Sequence, residues 1–150
     1  MIRRLTGMNQ TDSEAIKTLI ESRAQAVRDK DVERLMAQVD SSAISFDVVG
    51  PLRFAGADAA RGRAKEWFAS FAGPIEIEIR DLQIEVAANI GYCHSLTRIG
   101  GTLAVGMKVD MWVRSTVCLA KRDQQWAIVH QHTSVPFEAR SGKAALDLKP

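Results

Sequence analysis

Residues 75–86 form the run Ile75-Glu76-Ile77-Glu78-Ile79-Arg80-Asp81-Leu82-Gln83-Ile84-Glu85-Val86, in which apolar and polar side chains alternate. Such alternation is typical of a half-buried β-strand. The apolar residues occupy odd positions in the first half and even positions in the second half. A strict period of two cannot change phase in this way, so we expect a bulge or bend near Arg80-Asp81. A strand bent in its middle predicts a strongly curved sheet.

The sequence on the C-terminal side of this strand predicts three more strands, at about residues 90–99, 104–120 and 125–135. Two turns separate them, one at Gly100-Gly101 and one at Arg122-Asp123-Gln124. These strands follow one another directly, which favours an antiparallel sheet.

Three helices are predicted on the N-terminal side. Thr11 and Glu14 form a capping box before an apolar stripe that reaches Val27. Asp31 begins a shorter helix with a stripe ending at Val39, and Ser41-Ser42 ends it. A third helix follows Gly56 and stops at Gly73-Pro74. Its predicted stripe consists of Ala60, Ala64, Trp67, Phe68 and Phe71.

Between the second and third helices the pattern predicts a strand at 43–49, a turn at Gly50-Pro51 and a brief return strand at 52–54. The whole order predicts an α+β fold with three N-terminal helices packed on a strongly bent, mostly antiparallel sheet. A strongly curved sheet closed by helices forms a cone, and a cone encloses a pocket. One domain is expected over residues 11–136, with tails at 1–10 and 137–150.

Composition excludes several classes of function. The 150 residues are 46% hydrophobic and 25% charged, with a net charge of +2, as in ordinary globular proteins. The basic residues are scattered, whereas nucleic-acid binding needs a contiguous basic surface. No signal peptide or membrane span is recognisable. Cys93 and Cys118 are expected to be free thiols in the cytoplasm.

Asp47 is the first candidate functional residue, because it interrupts the apolar run Ser45-Phe46-Asp47-Val48-Val49-Gly50. A buried carboxylate costs several kcal/mol unless it is protonated or paired. Asp47 is therefore either a strand-end residue facing water or an acid placed in a pocket. Arg53 and Arg23 are its predicted partners, and Arg23 lies on the apolar stripe of the first helix.

The parity of the later strands predicts which residues face the cavity. On strand 104–120 the odd positions are mainly apolar and the even positions mainly polar. The odd face should therefore line the cavity, with Ser95 and Thr133 among its polar members. The expected ligand-binding residues are Phe54, Trp67, Phe71, Thr97, Met111, Val113, Ser115 and Gln131.

The even face, which includes Trp126, is expected to form a homodimer, because it mixes charges with large aromatic side chains. The residues assigned to this interface are Trp112, Arg114, His130 and His132. The two histidines would need a third ligand to hold a metal, and only His94 remains. We therefore expect no metal site.

Three segments carry a resemblance to a known family: Phe46–Gly50, Arg53–Ala59 and Trp126–Pro136. Over about residues 11–136 the chain resembles the nuclear-transport-factor-2-like (NTF2-like) superfamily, in its SnoaL-like and ketosteroid-isomerase-like branch. The last segment is also similar to the final strand of the calcium/calmodulin-dependent kinase association domain. The resemblance implies a cone-shaped fold that hosts enzymes, binding proteins and assembly modules.

In steroid isomerases of this branch, an aspartate before a Val-Gly turn removes the proton beside a ketone, and Asp47 occupies the similar position. The two donors that stabilise the enolate do not carry over. The tyrosine falls near Arg23 or Ala24, and the acidic donor falls near Thr116 or Val117. Each missing donor lowers the rate by roughly 10²–10³, so true steroid isomerase activity is not expected.

Two hypotheses remain after these exclusions. In the first, a cofactor-free enzyme uses Asp47 as general base in an isomerase-type or cyclase-type proton transfer on a cyclic or aromatic ligand. Thr97 or Gln131 would orient that ligand. In the second, the chain is a non-catalytic ligand-binding or oligomerisation module similar to the kinase association domain.

Overall fold

The computed structural model describes residues 3–150, with the backbone alone described over 3–9. It contains α1 (Arg3–Arg28), α2 (Val32–Met36), β1 (Val39–Phe46), β2 (Phe54–Ala55), α3 (Ala57–Ala69), β3 (Glu76–Ala87), β4 (Ile90–Thr102), β5 (Lys108–Arg122) and β6 (Gln125–Ser134). The six strands form one sheet in the order β2-β1-β6-β5-β4-β3. The β1–β6 pair is parallel and the other pairs are antiparallel. This arrangement confirms the predicted α+β class.

The phase change in β3 is a bulge, as predicted. Its pairing with β4 shifts register between Arg80 and Gln83, and Asp81 adopts a left-handed conformation with φ of 56°. Ile77 precedes the bulge and Ile84 follows it. Because of the bulge, both side chains point to the same face of the sheet and pack against the helices. Without the extra residue, every apolar side chain after Arg80 would turn to the opposite face.

Two apolar clusters join the helices to the sheet. One contains the C-terminal half of α1, together with Leu35, Phe68 and Ile75. The other contains the middle of α1, packed against Leu119 and Ile128. None of the described helices is long and apolar enough to cross a membrane.

The predicted start of the first helix is wrong. The helix α1 begins at Arg3, so Thr11 and Glu14 lie inside it and residues 3–10 are helical. A capping-box pattern also occurs by chance within helices, and residues 3–10 contain no proline to interrupt one. Residues 1–2 of the predicted tail lie outside the described part of the chain.

The second helix is also shorter than predicted. Val39 and Ser41-Ser42 belong to β1 rather than to the helix, and β1 ends at Phe46, so Asp47 follows the strand. Val39 pairs with Ile128. The helical spacing of Val39 was therefore a local signal that a distant strand overrides. The return strand is limited to Phe54–Ala55.

The turn predicted at Gly100-Gly101 is wrong, because both glycines are paired within the β4–β5 ladder. That hairpin turns instead at residues 104–106, where Gly106 has φ of 87°. Glycine is required at position 101 because other parts of the chain pack closely against its backbone. A Cβ atom there would lie 2.9 Å from both the Phe71 ring and the Pro74 carbonyl oxygen. The strands 90–99 and 104–120 therefore extend to Thr102 and begin at Lys108, respectively.

A second bulge corrects the predicted facing of Trp126. Cys118 pairs with His130 and Leu119 with Ile128, so Val129 is the extra residue in β6. Trp126 and Ile128 consequently face the helices together with Gln131 and Thr133. Trp126 is 5% exposed, and its Nε1 donates a hydrogen bond to Asp12 at 3.1 Å. It belongs to the core rather than to the outer face.

Candidate ligand-binding cavity

A cavity of about 250 Å³ lies between the three helices and the inner face of the sheet. Its wall is mainly apolar, and it is formed by α1, α2, α3 and every strand of the sheet. The residues predicted from the sequence that line it are Asp47, Phe54, Trp67, Thr97, Met111, Val113, Ser115 and Gln131. The structure thus brings together side chains that are up to 84 positions apart in the chain, from Asp47 to Gln131.

Phe71 is the predicted ligand-binding residue that the structure places elsewhere. The helix α3 ends at Ala69, so Phe71 lies beyond the helical face that lines the cavity. It is 5% exposed in the apolar core beside Phe68 and Ile75, and its backbone forms a bridge to Leu103. Phe71 therefore does not line the cavity, contrary to the prediction.

Asp47 lies at the cavity wall immediately after β1. Its Oδ2 accepts a hydrogen bond from Arg63 Nε at 2.8 Å. Its Oδ1 accepts from its neighbour Val48 N at 2.6 Å and from Thr133 Oγ1 at 3.4 Å. One guanidinium, one backbone N–H and one hydroxyl therefore fix the orientation of this carboxylate.

The partner of Asp47 is therefore Arg63 of α3, and the predicted partners Arg23 and Arg53 are wrong. Arg63 follows Ala60 by three positions and precedes Trp67 by four, so it lies on the apolar stripe of α3. A cation within an apolar helical stripe was the sequence signal that could have identified Arg63 as the partner. The Asp47 and Arg63 side chains are 26% and 21% exposed, respectively.

Arg23 of α1 also reaches the cavity. Its Nη1 donates to the Leu35 carbonyl oxygen at 2.6 Å, and its Nη2 donates to Gln131 Oε1 at 2.9 Å. Both acceptors are neutral. Burial of the guanidinium lowers the pKa of Arg23 to about 10, so the side chain remains charged at neutral pH in an unfavourable environment.

Cys93 lies in the cavity wall on β4. Burial, assisted by the nearby Cys118, raises the pKa of the Cys93 thiol to about 11. The thiol is therefore protonated at neutral pH and carries no charge. Both cysteines are free.

Hydroxyl groups cross the inner face of the sheet in a row towards Asp47. Ser95 pairs with Ser115 across β4 and β5, and Ser115 pairs with Thr133 across β5 and β6. Ser95 Oγ lies 3.4 Å from Thr97 Oγ1. The cavity therefore offers a few polar groups on one side and apolar side chains on the other, as small-molecule sites do.

The residues assigned to a dimer interface lie on the opposite face of the sheet. Arg80 stacks over the Trp112 ring at 5.0 Å, and Arg114 Nε donates to Ser134 Oγ at 3.2 Å. His130 Nδ1 lies 2.8 Å from the Ile44 carbonyl oxygen. Phe46 contacts the rings of His130 and His132 edge to face. Within residues 3–150, no three potential metal ligands come together.

Comparison with known families and structures adds to this geometry. The model of the SnoaL-like domain matches residues 16–138. The chain belongs to the SnoaL-like family. This family is part of the NTF2-like superfamily, whose cone-shaped architecture the structure shares. No curated protein has significant sequence similarity to the chain.

Several solved structures are similar to this SnoaL-like chain. An NTF2-like protein of unknown function from Pseudomonas putida KT2440 is 30% identical, with a TM-score of 0.87, over 94% of this chain and 98% of that one. A ketosteroid isomerase-like protein from Erwinia carotovora atroseptica SCRI1043 is 17% identical, with a TM-score of 0.71, over 82% and 95%.

A third structure comes from Xanthomonas campestris and is named, provisionally, a calcium/calmodulin-dependent protein kinase II association domain. It is 15% identical, with a TM-score of 0.70, over 79% of this chain and 84% of that one. At such identities the last two likenesses establish the fold alone. The superfamily includes members named as an isomerase-like protein and as an association domain, so the site must decide the function.

Proposed function

We propose that this SnoaL-like protein binds a small, largely apolar organic molecule with a cyclic or aromatic skeleton in the cavity. The observation that carries this proposal is the cavity itself, which is preformed, about 250 Å³ in volume and lined by ring-bearing and aliphatic side chains. Trp67 and Phe54 supply flat surfaces for a ring, and Thr97 or Gln131 orients its polar substituent.

Binding of the fluorescent hydrocarbon amine N-phenyl-1-naphthylamine tests this proposal, because its emission rises when it leaves water. Ser115 lines the cavity, whereas Thr116 lies on the opposite face of the same strand. We expect Ser115→Phe to fill the cavity and abolish saturable binding. The matched control Thr116→Phe should bind the probe as the wild type does. Absence of saturable binding to the wild type, or equal binding by both variants, would refute the proposal.

Catalysis by Asp47 is the second candidate function. One observation favours it, because Asp47 is the only carboxylate among the described residues that line the cavity. As general base, its Oδ1 would take a proton from a carbon beside a ligand carbonyl and return it to another carbon, with no cofactor. Arg63 holds the other oxygen, Oδ2, and so fixes the orientation of the carboxylate.

We further propose that the outer sheet face pairs two copies of the chain as a homodimer. The face carries Trp112, Arg114, His130 and His132, a mixture of aromatic and charged groups typical of interfaces. The support is that the three described helices pack on the other face of the sheet. A cytoplasmic location is part of the same proposal, because the two cysteines are unpaired.

A further inference from the structure

Arg23 is a cation in the cavity wall that no described residue neutralises. Its two hydrogen-bond acceptors are a backbone carbonyl and the Gln131 amide. A guanidinium carries five N–H donors, so three of them have no acceptor among the described residues. Charges inside proteins are normally paired, because an unpaired charge loses its hydration without compensation.

Two groups in the described cavity wall could carry a negative charge, Asp47 and Cys93, and neither supplies the missing charge. Asp47 is held by Arg63 at 2.8 Å. Cys93 is a protonated thiol at neutral pH, because burial raises its pKa to about 11. The described residues of the cavity wall therefore supply two guanidinium groups and one carboxylate, which leaves one positive charge for a ligand to balance.

We propose that the ligand is a monoanionic cyclic or aromatic carboxylic acid whose carboxylate binds the Arg23 guanidinium. This inference rests on the proposed binding function of the cavity and specifies its substrate class. A carboxylate matches the planar fork of an arginine side chain. A single negative charge matches the single unpaired cation, and the largely apolar remainder of the wall fits a ring rather than a second charged group.

The structure also defines where the other end of such an acid lies. Gln131 contacts Arg23, and Thr133 contacts Asp47. These two residues are two positions apart on β6, so the residues that contact the two polar groups are spaced by about 7 Å along the strand. The carboxylate at Arg23 would thus place the far side of a ring, with its hydroxyl, carbonyl or acidic C–H, near Asp47.

Calorimetric titration with 2-naphthoate and its neutral analogue 2-naphthamide tests the inference. The two probes share one skeleton and differ in charge. A charge-assisted hydrogen bond is worth about 1.5–3 kcal/mol, so we expect 2-naphthoate to bind the wild type about 10-fold to 100-fold more tightly than 2-naphthamide.

Three variants locate this preference. Arg23→Met keeps an apolar stem and should lower 2-naphthoate affinity to that of 2-naphthamide. Gln131→Glu places an internal carboxylate beside Arg23 and should also abolish the preference, so the test survives if Arg23→Met does not fold. Arg53→Met removes the same charge from an exposed arginine that does not line the cavity, and it should keep the preference.

Each alternative result has a distinct meaning. Equal affinity of the wild type for both probes would overturn this inference and leave the proposed binding function standing. A preference retained in both Arg23→Met and Gln131→Glu would overturn it as well, because the anion would then bind elsewhere. If neither probe shows saturable binding, both the inference and the proposed function fail.

Discussion

The ion pair between Asp47 and Arg63 should stabilise the fold measurably. Its Oδ2–Nε distance is 2.8 Å, and the two side chains are 26% and 21% exposed. The pair Glu78–Arg80 on β3 provides a matched control, because its distance is 3.0 Å but its side chains are 46% and 48% exposed. Both pairs join a carboxylate to a guanidinium at a similar distance, and the control pair is the more exposed.

The magnitude follows from this burial. At an effective dielectric constant of about 20, two unit charges about 4 Å apart attract by about 4 kcal/mol, before the cost of desolvation. Exposed pairs contribute only about 0.2–1 kcal/mol in double-mutant cycles. For Asp47–Arg63 we expect a coupling free energy of about 1–2 kcal/mol, and for Glu78–Arg80 less than about 0.5 kcal/mol.

Urea denaturation of the wild type, Asp47→Asn, Arg63→Met and the double variant measures the first coupling. Glu78→Gln and Arg80→Met provide the control cycle. Asp47→Asn alone should lower Tm by about 2–4 °C for each kcal/mol lost. A coupling for Asp47–Arg63 no larger than that of the control pair would refute the reasoning.

The remaining predictions concern catalysis and assembly. If Asp47 is a general base, the wild type should accelerate deuterium exchange at the acidic C–H of 2-tetralone, as measured by NMR. Asp47→Asn should lose about 10²–10⁴-fold of this acceleration. Equal exchange rates for the wild type and Asp47→Asn would exclude the role. Light scattering should give twice the 16.5 kDa chain mass for the wild type and for the exposed control Arg140→Glu, but one chain mass for Arg114→Glu. A dimer that persists in Arg114→Glu contradicts the assigned face.

The alternation of apolar and polar residues was enough to predict two features of the sheet, the bulge in β3 and the inward face of β5. The β3 bulge was predictable because a change of phase in a two-residue period has one physical explanation. The inward face of β5 was predictable because its apolar and polar residues alternate, and the structure places Met111, Val113 and Ser115 at the cavity wall.

Residues whose role depends on distant parts of the chain were not predictable in this way. Gly101 is a glycine because Phe71 and Pro74 approach it, and not because the chain turns there. Trp126 changes face because of a bulge three residues later in β6, at a position where the sequence still alternates. Neither the close contacts of Gly101 nor the facing of Trp126 can be predicted from the spacing of neighbouring residues in the sequence.

The pairing of Asp47 required the orientation of α3 over the sheet. The sequence identified an acid that needed a cation, and it offered Arg23 and Arg53 as partners. Arg63 lies on the cavity-facing stripe of α3, but only the assembled fold determines that this stripe passes over the end of β1. The result left Arg23 without a carboxylate, which gave the cavity its unpaired charge.

The parallel pairing of β1 with β6 has a consequence for folding during synthesis. Ile44 and His130 lie side by side in the sheet but are 86 residues apart in the chain. At a synthesis rate of about 5–20 residues per second, β6 is synthesised roughly 4–17 s after β1. Such a non-local contact must also overcome a large loop-closure entropy, which slows folding. The nascent chain therefore exposes an unpaired strand edge beside an unclosed cavity until almost all of the domain has left the ribosome.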